Sequence, residues 1–464
     1  MGLASSRTQI FATCTATLAF FTCGTFMGWP SPTIARLQSE ETEFYITSDE
    51  GSWIVSCMPI ASILTPIPAG YLVNKVGRKT ALLSASLPFL LSWLLVALAQ
   101  SVWMLYAARL FAGLGLGITF TVGPMYLGEI AEDRIRGALG TVYQLMMNLG
   151  VLFEYCVGPY VSSMWLSITS ALFPVLFLLT FIWMPESPYY YILKGRRTDA
   201  ERSLMRLRCV NDPEFIKEEL DYIEKFVEQS RTEQGSFKDL LCDSANRKAL
   251  IIVVGLILFQ NLSGINAILA YSTTIFEESN TDLRPQVSVM ITGAVQVVLS
   301  MVSSTIVDTA GRRPMLLVSG IGTVIALVVE GVFFYLKTES QVDLSHLDWL
   351  PVSAIVFYLI AYTLGLGPLP LAMLGELFPT SVKGLAASIT CMILGLVTIA
   401  VVKFYQVIGD TFGMHFVFFS FAAFCVIGTL FVTLAVPETK GKSLLEINQY
   451  LQPKKKTALN IIKS

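Results

Sequence analysis

Apolar positions in this chain come in long runs rather than in alternation. Stretches nearly free of charge recur around residues 8–30, 53–73, 80–100, 103–128, 138–160 and 165–185, and again around 248–276, 286–307, 314–336, 350–376, 383–408 and 412–436. A run of roughly 20 residues crosses ~30 Å of hydrocarbon as an α-helix rising about 1.5 Å per residue. A helix is also the only open segment that pairs its own backbone where water is absent. The pattern predicts an all-α membrane protein of twelve transmembrane helices, built as two six-helix bundles over 1–185 and 248–436. Residues 186–247 read as a cytoplasmic linker and 437–464 as a cytoplasmic tail. Within the linker, "PEFIKEELDYIEKF" sets apolar residues at helical spacing among charges, which predicts short amphipathic helices at the membrane surface.

Composition fits that solvent. Hydrophobic residues make up 54% of the chain and charged ones 14%, and the mean hydropathy of +0.63 lies far above that of a soluble domain. The segment through Pro30 has one basic residue, is too long for a typical signal core and shows no small-residue cleavage site, so it reads as the first membrane helix.

Basic residues set the orientation. Lys75, Arg78, Lys79, Arg134, Arg136, Arg312, Arg313, Lys383, Lys454, Lys455 and Lys456 fall on one side, which the positive-inside rule makes cytoplasmic. The other side carries Glu40, Glu41, Glu43, Asp49 and Glu50, with scattered cations at Arg36, Arg284 and Lys337. A multi-pass plasma-membrane protein with both termini inside is the expectation. Six of the eight cysteines lie in the runs, while Cys209 and Cys242 lie in the linker, so no outer-loop disulfide is expected. With two histidines, no paired Cys-x-x-Cys and no Walker-type loop, the chain is expected to use no metal, no cofactor and no ATP directly. The expected partners are the lipid bilayer and a small molecule, with no nucleic acid.

Three motifs occur twice in the same order. "NKVGRK" at Asn74 is matched by "DTAGRR" at Asp308, each with a polar residue three positions before Gly77 or Gly311. "GEIAEDRIRG" is matched by "GELFPTSVKG", where Glu129 precedes Arg136 and Glu376 precedes Lys383 by the same seven residues. "PESP" at Pro185 is matched by "PETKG" at Pro437. An ordered triple repeat indicates two homologous halves. Carboxylates and cations at such helix ends can pair in a partly dry setting, hold the inner mouth shut and part when the halves rock. A pure topology signal accounts for Arg78 and Arg312 but not for the repeated spacing. Arg78, Glu129, Arg136, Asp308, Arg312, Arg313, Glu376 and Lys383 are therefore candidate latch residues.

These motifs, with "GYLVNKVGRK", Arg109 and its "GLGLG", "YLGEIAEDRIRGALGTVYQL", "QNLSGINAILAYST" and "GLGPLPLAMLGELFP", carry a resemblance over essentially the whole chain. The sequence resembles the sugar porter branch of the major facilitator superfamily, in particular the facilitative glucose transporters and the insect facilitated trehalose transporter-like proteins. The resemblance implies the major facilitator fold and carriage of a sugar without covalent chemistry.

The residues support such a site on their own terms. A sugar needs amides that both donate and accept, and apolar walls for its C–H faces. Mid-helix positions supply Gln144, Gln260, Asn261, Asn266 and Gln296, three of them around one Gly-containing segment. Amides within a membrane helix face a cavity or another helix, because unpaired they are costly. The resemblance makes Gln144, Gln260, Asn261 and Asn266 hexose-hydroxyl ligands and places Tyr271 in an outer gate. It also marks departures: Gln296 replaces the family's amide in the eighth helix, Leu371 its tryptophan in the tenth, and Leu394 and Gly395 the Asn-Trp pair often seen in the eleventh. Loss of that aromatic floor and that amide points away from ordinary glucose, toward a different sugar, a disaccharide or a related polyol. In the tenth helix, "GLGPLP" removes backbone donors at Pro368 and Pro370 and relaxes dihedral limits at Gly365, so that segment is a candidate gate.

Proton-driven members of the resembled family usually carry an aspartate in the first helix, where this chain has Phe26. The remaining intramembrane carboxylates, Glu154 and Glu330, are expected near the outer ends of their helices, within reach of interfacial water. The reading is a facilitative uniporter for a hexose or a disaccharide such as trehalose, working by alternating access. A proton-coupled symporter and a non-transporting sugar sensor are its alternatives.

Overall fold

The computed structural model describes residues 7–39, 44–232, 237–279, 283–339, 345–440, 446 and 450; the side chains of 133–141 and 303–310 are among those outside the described residues. Helices dominate throughout. Among the described residues, ten are long and apolar enough to cross a membrane, an eleventh span is the pair Ser48–Leu64 and Pro66–Val76 bent by 47°, and a shorter apolar helix covers Val142–Val157. These correspond to the twelve runs, with shifted ends. The first span continues past its break at Trp29 to Leu37, because Pro30 suits a helix N-terminus and restarts it. The second begins at Ser48 on a capping box between Thr47 and Glu50.

The chain divides into two compact units, Met1–Thr232 and Glu233–Ser464. In the first, the opening helix lies against the fifth and sixth spans, while the fourth span packs on the second and third. Its core is built from small and aromatic residues, including Ala12, Ala16, Phe20, Tyr126 and Phe177 on one side and Phe26, Phe89, Trp93 and Ala108 on the other. In the second unit, the ninth span packs on the twelfth and tenth, and the seventh on the eleventh. A core of Val253, Leu256, Leu316, Leu369, Met373 and Val382 joins these helices.

The charged region after residue 186 folds as Pro188–Leu193, Arg197–Arg208, a 3-10 turn at Pro213–Ile216, Lys217–Thr232 and Phe237–Cys242. The amphipathic reading holds, but the apolar faces of the first four turn on one another rather than to a lipid surface. Ile192, Leu204, Ile216, Leu220, Ile223 and Val227 form a small core of their own. Arg208 ties this subdomain to the end of the fourth span by donating to the Ile130 carbonyl at 3.0 Å, and pairs with Glu219 within it.

Candidate functional site

Each unit contains the same charged device, assembled by the three repeated motifs. The helix Arg78–Ser84 starts at Gly77 and the helix Arg312–Thr338 at Gly311, so neither has a side chain at the capping position. Both glycines hold positive φ, 98° and 93°, which an L side chain resists. The missing cap comes from far along the chain. Glu186 accepts from the Arg78, Lys79 and Ser187 backbone N–H groups at 2.9, 2.9 and 2.8 Å. Glu438 accepts from those of Arg312, Arg313 and Lys440 at 3.0, 3.0 and 2.9 Å. A carboxylate on the bare N–H groups of a helix start is favoured by hydrogen bonding and by the helix dipole.

The arginine that follows each glycine reaches back to the fourth or tenth span. Arg78 grips both oxygens of Glu129, with Nε at 2.9 and 3.1 Å and Nη2 at 2.9 Å. Arg312 places Nε at 3.1 Å and Nη2 at 3.0 Å from one oxygen of Glu376. A hydroxyl completes each carboxylate: Ser187 donates to Glu129, and Thr439 to Glu376 at 2.5 Å. Glu186, Ser187, Glu438 and Thr439 were not among the residues expected here, although "PES" and "PET" were the signal for them. Glu438 lies beyond the last span. Partial burial pulls its carboxyl upward, and the backbone N–H groups of Lys440, Arg312, Arg313 and Thr439 outweigh this and hold it below the ordinary glutamate value.

Other expected latch residues are placed differently. Lys383 donates to the Gly375 carbonyl at 3.2 Å rather than joining the Glu376 cluster. Arg313 sends Nη2 to the Thr433 carbonyl at 2.6 Å. Arg136 and Asp308 lie on helical backbone, but their side chains fall outside the described residues.

Three of the five expected amides, Gln260, Asn261 and Asn266, lie around the break in the seventh span. Helix Ser244–Leu262 stops, Gly264 turns through φ +86°, and Ile265–Ala270 resumes. Asn266 Nδ2 donates to Asn261 Oδ1 at 2.8 Å and lies 3.3 Å from Thr398 Oγ1 of the eleventh span, which is itself 3.0 Å from Asn261 Oδ1. Gln260 Nε2 donates to the Gly367 carbonyl at 2.8 Å, inside the break between Leu350–Leu364 and Leu369–Leu377. In return, Tyr358 of the tenth span bonds Ser263 at the seventh-span break, hydroxyl to hydroxyl at 2.9 Å and to the carbonyl at 3.1 Å. The two breaks brace each other. Gly365 backs onto the Met315 carbonyl, where a Cβ would sit at 2.5 Å, and Leu366 N–H donates to Ser319 Oγ at 2.9 Å. Pro368 and Pro370 restart the helix.

Tyr271 stacks on Tyr405 with ring centroids 4.7 Å apart. Gln296 is buried, Leu371 is about half exposed and Leu394 packs toward the second unit's core. In the first unit, Gln144 is half-buried and donates to Asn148 Oδ1 at 3.3 Å.

The first-helix position of the missing carboxylate is filled by an aromatic stack, Phe26 on Trp93 at 4.3 Å. Beside it Arg109 is fully buried, donating to the Phe26 carbonyl at 2.6 Å and the Ile54 carbonyl at 3.2 Å beneath the Trp29 ring. Arg109 thus pins the first two spans through their main chain. The expectation that Glu154 and Glu330 reach interfacial water is not met, since both are buried to within 1%. Ser170 donates to Glu154 at 2.5 Å, and neither oxygen of Glu330 has a partner among the described residues. Helix packing closes over both positions despite their depth in the sequence.

Known proteins match this arrangement. The model of the "Sugar (and other) transporter" family covers residues 9–451. The facilitated trehalose transporter Tret1 of Bombyx mori is 34% identical over 456 residues, covering 98% of this chain and 89% of that protein. That of Aedes aegypti is 34% identical over 449 residues, covering 95% of this chain and 55% of that protein. The chain thus spans a little over half the length of the Aedes and Anopheles relatives. In fold, the xylose transporter XylE from E. coli, in a partially occluded inward open conformation, superposes with a TM-score of 0.79 at 22% identity, over 95% of this chain and all of that one. Motif pairs, twin charge clusters, broken seventh and tenth spans and a family match over nearly the whole length lead to one conclusion: the chain is a multi-pass membrane protein of the sugar (and other) transporter family, with the major facilitator fold.

Proposed function

We propose that this protein carries a sugar, a hexose or a disaccharide such as trehalose, down its concentration gradient by alternating access, without covalent chemistry and without an obligatory proton. The observation that carries the reading is the amide cluster at the seventh-span break. Gln260, Asn261 and Asn266 meet there, and Gln260 holds the Gly367 carbonyl of the second break. A sugar hydroxyl that bonds Gln260 shares its amide with that carbonyl, so occupancy and the tenth-span gate meet at one side chain. Gln144, Gln296 and Tyr271 complete the substrate-binding set in this reading, with Leu371 as an apolar wall. Similarity to facilitated trehalose transporters supports the substrate class.

The charged devices act as latch and brace. Each ties the start of the third or ninth span to the fourth or tenth and to the segment after the sixth or twelfth, so each bundle keeps its shape while bending falls to the Gly365–Pro370 segment. Absence of a proton step rests on Phe26 and Arg109: the stack leaves no carboxylate there, and Arg109 is spent on main-chain carbonyls. In this reading the protein sits in the plasma membrane with the charged clusters, both termini and the 186–247 linker cytoplasmic, an orientation that the distribution of lysine and arginine supports.

Uptake of labelled trehalose and hexoses into proteoliposomes tests this reading. Saturable uptake, lost when Gln260→Ala and Asn266→Ala are introduced while both variants stay folded, is expected. Absence of uptake for every sugar tried would sink it.

A further inference from the structure

The geometry points to Thr398 as a specificity-determining residue of the sugar site, standing one turn along the eleventh span from Leu394, where the resembled family has its amide. The inference rests on the proposed transport function.

Thr398 sits in helix Thr380–Phe412. Hydroxyls in a helix often return their proton to the carbonyl four residues back and do nothing else. Thr390 and Thr411 of this helix are of that kind, bonding Ala386 and Val407 at 2.7 and 2.6 Å. Thr398 also has such a carbonyl, Leu394 at 2.8 Å, but two amides of another helix approach it as well, Asn261 Oδ1 at 3.0 Å and Asn266 Nδ2 at 3.3 Å.

Counting protons shows what the cluster leaves open. A threonine hydroxyl has one proton, and two acceptors compete for it, the Leu394 carbonyl and Asn261 Oδ1. Asn261 spends one of its two Nδ2 protons on the Ile257 carbonyl at 2.9 Å, and Asn266 directs its Nδ2 to Asn261 Oδ1 and Thr398 Oγ1. Asn266 Oδ1 has no partner among the described residues, and the half-buried Asn266 and Thr398 side chains leave it reachable. Asn266 Oδ1 is the acceptor the cluster leaves open to a sugar. A sugar hydroxyl donates to Asn266 Oδ1 and accepts from Thr398, whose proton then leaves either competing acceptor at little cost because the other positions stay filled. A methyl and a hydroxyl on one β-carbon also present an apolar and a polar surface side by side, as a sugar's C–H and O–H groups do. Thr398 therefore reads which hydroxyl is present.

A set of mono-deoxy hexoses and trehalose, measured by binding and by uptake in proteoliposomes of the full chain, tests this. In wild type one deoxy analogue should bind more weakly than its parent. Thr398→Val, which keeps shape and removes the hydroxyl, should weaken the parent sugar about two- to tenfold, the scale of one neutral hydrogen bond, and abolish the penalty for that analogue. Thr398→Ser should keep wild-type discrimination. If Thr398→Val leaves affinity and deoxy pattern unchanged while Gln260→Ala weakens binding, the transport reading stands and Thr398 is helix glue. If Thr398→Ser loses the pattern as Thr398→Val does, the hydroxyl is not the reader and the inference fails. If wild type binds none of the sugars, transport reading and inference fall together.

Discussion

The arginine–glutamate pair of the first unit is drier than its twin in the second. Arg78 holds both oxygens of Glu129 with side chains 6% and 16% exposed, whereas Arg312 holds one oxygen of Glu376 with side chains 17% and 27% exposed. The capping carboxylates differ in the same sense. A Cβ on Gly77 would stand 2.2 Å from Glu186 Oε2, and one on Gly311 3.1 Å from Glu438 Oε2. One inherited device has thus been kept at two settings. The drier, bidentate copy costs more to break, because a stranded partner loses both its counter-charge and its water. The wetter copy is easier to open, and it belongs to the unit that contains both broken helices at the amide cluster. Rigidity in one bundle and compliance in the other is the division of labour the comparison teaches.

The largest effect expected from this contrast is at the arginines. Arg78→Ala leaves Glu129 buried and uncompensated, a loss of about 3–5 kcal/mol. Arg312→Ala, at a wetter pair, should cost clearly less. Thermal unfolding of both variants in the same detergent checks this, and equal losses would erase the contrast.

The glycines come next. Gly77→Ala and Gly311→Ala each force a side chain into a region of positive φ and extended ψ that only glycine adopts readily, at about 1–3 kcal/mol. Gly77→Ala should lose more, because its methyl also displaces Glu186 from the helix start. Adding Glu186→Ala to Gly77→Ala should cost little further, since the cap is already gone; fully additive losses would show that the methyl and the carboxylate do not meet.

The smallest effect is the acid response of Glu438. Its folded pKa lies below the ordinary 4.5, so its charge stabilises the fold above that value, and the contribution is lost as pH falls from there through the folded value. Partial exposure limits it to about 1 kcal/mol or less. Glu438→Gln should lower the unfolding midpoint at pH 7 and converge with wild type once the pH falls below the folded value. A gap that persists in acid would assign the loss to packing instead of charge.

Much of this was legible in the sequence. Twelve spans follow from apolar runs, because hydrocarbon leaves helices no alternative, and the seventh- and tenth-span breaks follow from Gly264 and from the Gly365–Pro370 segment. The ordered motif pairs announced two related halves. The trans caps were hidden for a physical reason: helix caps ordinarily come from the adjacent residue, and here Glu186 and Glu438 arrive from 108 and 126 residues away. Thr398 was hidden because a threonine returning its proton to its own helix looks in sequence like one that faces a site. The linker's apolar stripe showed a face to be buried, but spacing alone does not say whether lipid or neighbouring helices bury it.

The central claim is sugar carriage without a coupled proton, and the direct measurement is labelled trehalose uptake into proteoliposomes with and without an inward proton gradient. With Phe26 in the stack and Arg109 committed to main-chain carbonyls, sugar should equilibrate and go no further, at the same level in both conditions. Accumulation above equilibrium that requires the gradient and disappears in Glu154→Gln would contradict the account and make Glu154 the coupling group.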